Sequence, residues 1–334
     1  MTRLPRVHRW RDRLTWERRQ VWIYAGAIML GLALGSIAPG IGPVAEFLLW
    51  PFLATLLYTA FVQVPLRHLF DAWRDVRFAT ATLVGNFVVL PLFVWAAVGF
   101  LPDDPAIRLG VLLVLLVPCT DWFISFTQIA GGDVSRAIAV TPINLVLQLL
   151  LLPLYLLLMA REEVTGLVSG EVIAPALLIV LLPLAAAAFT EQWIERRPSR
   201  TAVRDRAAWA PVPLLTAVVF LIATAQVETV AASLDVLPTV VPVFVAFLAA
   251  AAVTAKALAK AFTLPAAQGR TLAFGLSTRN SFVVLPLALA LPAGLEVAAV
   301  VIVVQSLVEL LGMVLFVWWI PRVFRTETDA TAAP

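Results

Sequence analysis

Leu116–Gln128 reads LVPCTDWFISFTQ. It lies inside a long apolar run, yet it holds Pro118, the only cysteine of the chain (Cys119), Thr120 and the carboxylate of Asp121. A second polar break, Ser277–Ser281 (STRNS), occupies the corresponding place in the second half and carries Arg279. Polar and ionisable groups at such depth are costly in a bilayer, so they mark functional sites by default. Proline removes a backbone donor and clashes with the preceding turn. Pro118 therefore ends or kinks its helix and frees carbonyls near Val114–Leu116. Freed backbone groups are tolerated in a membrane only where protein or a water-filled cavity satisfies them. Two interrupted helices at corresponding positions of two halves point to a site near the midplane. The two breaks are expected to face each other.

The composition sets the context for these breaks. The chain has 334 residues, 61% of them hydrophobic and 13% charged, with a mean hydropathy of +0.95. Soluble domains carry about a quarter charged residues. The sequence is that of an integral membrane protein. An arginine-rich arm, residues 1–20, precedes a first apolar run of full spanning length, so no cleavable signal peptide is expected. One cysteine excludes an internal disulfide and a multi-cysteine metal site. Both histidines, His8 and His68, lie in arginine-rich flanks, which leaves none for a site inside the membrane. No aromatic-basic interleaving suggests nucleic acid as a partner. The lipid bilayer is the expected environment, and no cofactor is expected.

A spanning helix needs about 20 mainly apolar residues. The pattern predicts an all-α polytopic membrane protein with ten transmembrane helices. They run Val21–Ile37, Val44–Val62, Thr80–Phe100, Ile107–Ile129, Val134–Met159, Val172–Phe189, Trp209–Ala225, Thr239–Phe262, Arg270–Leu291 and Val297–Ile320. Charge supports an even number. The N-terminal arm, Pro65–Arg77, Gly131–Arg136, Glu191–Arg206, Lys256–Arg270 and the tail after Pro321 hold 21 of the 24 Lys and Arg residues. Only Arg108 and Arg161 fall in the opposite connections, which carry Asp103, Asp104, Glu162, Glu163, Glu171, Glu228, Asp235 and Glu296 instead. The positive-inside rule then places both termini in the cytoplasm of a cell-membrane protein.

Glu191–Arg206 reads as the seam between two halves. Residues 21–160 form a first five-helix repeat, 161–321 a second, and 322–334 a cytoplasmic tail. Five spans per half require the halves to be inverted relative to each other. Asn144–Gln148 (NLVLQ) in span five is similar to Val301–Gln305 (VIVVQ) in span ten. A louder similarity, Asn86–Leu92 against Phe282–Leu287, pairs spans three and nine. It does not fit a five-span repeat and reads as composition or local packing.

Asp121, Arg279 and Glu309 are the charges placed well inside spans. An unpaired charge there costs about 2.5–3.5 kcal/mol on insertion scales. An Asp121–Arg279 ion pair across the crossing would relieve two of them. Such a pair either pins the crossing permanently or opens when solute or a proton binds. Glu309 is a candidate proton carrier, or it hydrogen-bonds to Gln305 or Ser306. Cys119 is a small buried hydrophobe in the ordinary case; beside a helix break it is also a soft ligand. Asp133, after Gly131-Gly132, is the expected N-cap of span five. Asn144 and Gln148 share one face of that helix at i, i+4. They either line a site or bond across helices. Trp122 and Phe126 read as packing.

Enzyme signatures are nearly absent. Gly275-Leu-Ser-Thr278 matches a loose GxSx, but a protease of that kind needs a histidine in the membrane. No phosphate-binding loop is present for ATP hydrolysis.

At Cys119-Thr120, Gly132-Asp133 and Asn144, and at Arg279-Asn280-Ser281, the sequence resembles the superfamily of bile-acid:sodium symporters and arsenite-efflux permeases. The resemblance covers all ten spans in organisation, with specific motifs in spans four, five and nine. It implies an inverted five-plus-five repeat, a panel-like domain and a core domain in which spans four and nine are broken and cross. Cys119-Thr120, Gly132-Asp133 and Asn144 follow the arsenite-efflux pattern in order and spacing. That branch also carries an acidic residue just after the span-nine Asn motif, where this chain has Ser281-Phe282-Val283. Asp121 or Glu309 would have to replace it.

The sodium-coupled branch fits less well. Its glutamate and glutamine before the span-nine Asn-Ser fall on Gly275 and Arg279, and its span-four ligands fall on Phe123 and Ile124. This implies sodium independence, with Arg279 in the position of a tethered cation. The resemblance therefore implies a secondary transporter that moves arsenite, and antimonite, outward against protons. Cys119 would contact the soft solute. Thr120, Asn144, Gln148, Asn280 and Ser281 would bind its hydroxyls. Asp121, Arg279 and Glu309 would couple. An organic-anion transporter using Arg279 to hold a carboxylate is the alternative. A non-transporting receptor is a third class, against which the compact connections argue.

Overall fold

A computed structural model describes residues 22–64, 74–159, 170–197, 200–232 and 234–325. The arginine-rich arm, most of Pro65–Arg77, Arg161 with Glu162 and Glu163, and the tail from 326 lie outside the described residues. All regular elements among the described residues are helical. They are α1 (Trp22–Ile37), α2 (Gly42–Phe61), α3 (Val76–Val98), α4 (Pro105–Leu115), α5 (Trp122–Ile129), α6 (Val134–Met159), α7 (Gly170–Glu195) and α8 (Thr201–Ala207). They continue with α9 (Pro211–Ala225), α10 (Val227–Ala232), α11 (Leu237–Ala261), α12 (Ala266–Ser277), α13 (Ser281–Leu289) and α14 (Val297–Val323).

Five stretches, Pro39–Phe61, α3, α6, α11 and α14, are long and apolar enough to cross a membrane, and α1, α4 and α9 are shorter apolar helices. Large apolar side chains stand exposed along them, among them Trp95, Leu150, Leu158, Leu315 and Trp318. In water such surfaces would associate; in a bilayer acyl chains cover them. The chain is a polytopic membrane protein.

Packing divides it into two compact units, each drawing on segments far apart in the sequence. The first takes residues up to Gln63 and Val180–Ala232. Within it, Gly31 and Gly35 let α1 approach α9. A Cβ at Gly31 would meet the Phe220 carbonyl oxygen at 2.5 Å, and one at Gly35 would meet the Thr224 carbonyl oxygen at 2.6 Å. This is the small-xxx-small contact of membrane helices. Tyr58 Oη and Thr190 Oγ1 share a hydrogen bond of 2.9 Å between α2 and α7.

The second unit, Val64–Ile179 with Ser233–Pro334, contains both polar breaks. Here local sequence decides the helix ends. Asp104 starts α4 by accepting from the Ala106 and Ile107 amides, with Pro105 in the first turn, where its missing N–H is harmless. The α4 helix stops at Leu115, three residues before Pro118. Asp121 then starts α5 by accepting from Trp122 N. Gly131 takes φ +68°, the left-handed conformation that favours glycine. Gly131 N donates to Gln128 O and Gly132 N to Thr127 O. This is a Schellman ending. Asp133 Oδ1 accepts from Arg136 N and starts α6, as the sequence predicts. Asn280 starts α13 by accepting from Val283 N.

At the polar end of this unit, Asp75 caps α3 through Phe78 N and joins Arg136 and Gln268. Burial pushes its carboxyl toward the neutral form. The hydrogen bonds from Arg136, Phe78 and Gln268 and the Arg136 charge outweigh that and hold it below its ordinary value. A depressed carboxyl stabilises the fold above its unfolded pKa, about 3.9, and loses that contribution as pH falls through the lower folded value. Asp75→Asn is therefore expected to lower the thermal midpoint at neutral pH and to converge with the native protein as pH falls through the lower folded value. The pair is partly exposed, so the difference is no more than about 1 kcal/mol. A midpoint series from pH 7 to pH 2.5 reads it; parallel curves throughout would refute it.

Candidate transport site

The two breaks meet through their backbones. Cys119 N donates to Thr278 O at 3.1 Å, and Asn280 N donates to Val117 O at 2.8 Å. Together they form a short antiparallel bridge centred on Pro118 and Arg279. Pro118 ends its helix outright, and each break satisfies the other's orphan backbone groups. That is the compensation a buried interruption needs.

Side chains extend the contact. Asn280 Nδ2 donates to Thr120 Oγ1 at 3.0 Å. Cys119, 1% exposed, donates its thiol to Asp121 Oδ1 at 3.1 Å. Glu309, 2% exposed on α14, accepts on Oε2 from Arg279 N and from Gln305 Nε2, both at 2.8 Å. Ser281 Oγ donates to Gln305 Oε1, and Ser306 Oγ donates to Ser281 Oγ. One network thus joins α5, α13, α14 and both breaks. Of the two sequence readings of Glu309, the hydrogen bond to Gln305 is present.

The Asp121–Arg279 ion pair does not form. Arg279 is instead enclosed by neutral oxygens. Its Nη1 donates to Leu115 O at 3.3 Å, and its Nη2 donates to Asn86 Oδ1 at 3.0 Å and to Leu276 O. Its Cζ stands 4.8 Å from the centre of the Phe247 ring, a cation–π distance. The physical reason is the break itself. The carbonyl ends of two half-helices carry partial negative charge and lie nearer to the guanidinium than any acid side chain. Asp121 serves as an N-cap and thiol acceptor instead.

Asn144 and Gln148 are fully buried on α6, and neither amide has a hydrogen-bond partner among the described residues. No bond across helices from either amide is present among the described residues. Thr127 Oγ1 on α5 is likewise buried without a partner. At 1.5 Å per residue, Asn144 stands about 15 Å along α6 from Val134, and α5 is about 12 Å long. The two helices are joined by a tight turn and pack together. A buried polar group without a partner calls for a ligand, water or ion.

Sequence reading missed Asn86 and Phe247. Asn86 is completely buried, sits in a π-helical turn, Gly85–Val89, and bridges Arg279 and Gly275 O. Its signal was a lone amide in an apolar span, the kind of residue that is functional by default. π-Turns also concentrate at functional sites. Trp122 and Phe126 are packing, as expected: Trp122 meets Phe282 edge-on and Phe126 stacks on Phe274.

Residues 50–233, just over half of the chain, match the model of the sodium bile acid symporter family. The chain belongs to that family. Comparison with individually curated proteins returns no match. Members of the sodium bile acid symporter family are transporters, not enzymes, and this one is a membrane transporter of the bile-acid symporter type that works on a small-molecule solute. The matched residues include Pro118–Asp121, Asn144 and Gln148. Arg279, Asn280 and Glu309 lie beyond the match.

Proposed function

We propose that this transporter exports trivalent arsenic as neutral As(OH)3, and antimonite likewise, in exchange for protons and without sodium. It would sit in the cell membrane with both termini cytoplasmic, as ten spans in an inverted five-plus-five arrangement. Alternating access would turn on the crossed breaks. The observation that carries the reading is the sole thiol of the chain, Cys119, buried at the crossing and hydrogen-bonded to a carboxylate. A thiol is a soft ligand, and Asp121 is placed to take its proton. Sulfur then bonds to arsenic as one hydroxide leaves, carrying that proton away as water. The reverse step frees the solute on the far side. Thr120, Asn280 and Ser281, with the unpartnered amides of Asn144 and Gln148, supply donors and acceptors for the remaining hydroxyls. Asp121, Arg279 and Glu309 form the coupling set, with Glu309 as proton carrier.

The carboxylate alternative needs a guanidinium open to an anion. Arg279 already donates to three oxygens and lies under Phe247, which weakens it. Inside-out vesicles with an acidified lumen test the choice. Arsenite is expected to accumulate, a protonophore to abolish accumulation, and replacement of sodium by potassium to leave it unchanged. Gradient-driven uptake of a small carboxylate, with arsenite excluded, would overturn the proposal.

A further inference from the structure

The apolar helix α7 ends at Glu195 in a run of arginines. In its last turns Leu182, Ala185, Ala186, Phe189 and Trp193 are exposed. Their spacing, i, i+3, i+4, i+7 and i+11, puts them on one face. Phe189, 72% exposed, and Leu182 flank the two alanines, which leaves a shallow recess between them. At 1.5 Å per residue, Leu182 to Trp193 measures about 16 Å, close to half of a ~30 Å hydrocarbon core. That is the depth one acyl chain covers. Trp193 closes the stripe, and tryptophan favours the headgroup boundary.

Residues 196–206 then hold five arginines against one acid, Asp205. Arg196 and Arg197 are exposed. They follow Trp193 by three and four residues, the spacing that continues the stripe. Arg200 is held in place. Its Cζ lies 4.0 Å from the centre of the Trp193 ring, and its Nη1 donates to Trp193 O at 2.9 Å, one of the carbonyls a helix end leaves open. Among the described residues, no acid pairs with Arg196, Arg197 or Arg200. The nearby glutamates face elsewhere. Glu191, 1% exposed, pairs with Arg204 at 3.9 Å, and Glu195, two residues past Trp193, falls on the opposite side of the helix.

We infer that this end of α7 binds one anionic phospholipid, its phosphate held by Arg196, Arg197 and the stacked Arg200 and an acyl chain laid along Leu182–Trp193. Basic clusters beside a membrane helix attract anionic headgroups. A guanidinium matches two phosphate oxygens at once, and one already fixed by stacking loses little freedom when it does so. A zwitterionic lipid presents the same phosphate but brings its own cation, which the arginines repel. This goes beyond the transport reading and does not depend on the solute.

The test follows the thermal midpoint of the full-length protein in detergent as phosphatidylglycerol or phosphatidylcholine is added to the micelles. Phosphatidylglycerol is expected to raise it saturably by roughly 3 °C, and phosphatidylcholine to leave it unchanged. Arg196→Gln with Arg197→Gln is expected to lose most of that rise. Lys256→Gln with Lys260→Gln, which removes two exposed charges near the end of α11, is expected to keep it. Native mass spectrometry of the unmutated protein from mixed micelles is expected to retain one phosphatidylglycerol in preference to phosphatidylcholine, a reading that stands even if the arginine variant is unstable. Equal responses to the two lipids, a native response in the arginine variant, or an equal loss in the lysine variant overturn the inference. So does equal retention of the two lipids, or the full rise with glycerol 3-phosphate alone, which would mark a site for a free anion. No arsenite or pH gradient enters the test, so it succeeds or fails separately from the vesicle assay.

Discussion

Cys119→Ser is expected to abolish most arsenite accumulation while leaving the protein folded. Serine is close in size to cysteine, and its hydroxyl can donate to Asp121 Oδ1 as the thiol does at 3.1 Å. The backbone bond from residue 119 to Thr278 O involves no side chain. Detergent stability should therefore change little. What is lost is softness: a hydroxyl oxygen is a hard ligand and does not compete with water for trivalent arsenic as sulfur does. A loss of only about 1.4 kcal/mol in that contact lowers binding tenfold. The expected reduction in vesicle uptake is about tenfold or more, for arsenite and antimonite alike. Wild-type rates in Cys119→Ser vesicles would sink the thiol role, and with it the strongest support for a thiophilic solute.

Glu309 is expected to give two separable phenotypes. Glu309→Leu removes the acceptor for both the Arg279 amide and the Gln305 carboxamide. Each buried donor left alone costs about 1–3 kcal/mol. That loss is large beside typical stabilities of about 5–15 kcal/mol, so the leucine variant should be scarce or unstable in detergent. Glu309→Gln keeps the shape and one acceptor oxygen but cannot carry a proton. Under the proton-antiport reading it should still exchange labelled for unlabelled arsenite, yet fail to accumulate arsenite against a pH gradient. Gradient-driven accumulation by Glu309→Gln vesicles at the native rate would remove Glu309 from coupling and leave that role to Asp121.

Much of this arrangement was legible in the letters. Val134–Met159 follows from an apolar run bounded by Gly-Gly-Asp, and the structure starts a helix at Val134 as expected. Pro118 announced an interruption, and Asn144 with Gln148 announced a polar stripe, because proline chemistry and helical spacing are local facts. The partner of Arg279 was not legible. Sequence shows side chains, so an acid was the natural guess, whereas the groups that hold the guanidinium are largely main-chain carbonyls exposed by the breaks. Asn86 hid for a related reason. It opens a stretch whose letters nearly repeat Phe282–Leu287, and that apolar similarity outweighed the lone amide at its start. The two packing units follow contacts between distant segments, which no local pattern encodes.

The antiparallel bridge at Pro118 and Arg279 has an evolutionary consequence. Its two hydrogen bonds run between main-chain atoms of Val117, Cys119, Thr278 and Asn280, so the side chains at residues 119, 120 and 279 can change without cutting the joint. A lineage holding such a joint can retune which solute or cation it accepts by point mutation, trying thiol, amide or guanidinium in turn on a scaffold that does not have to be reinvented.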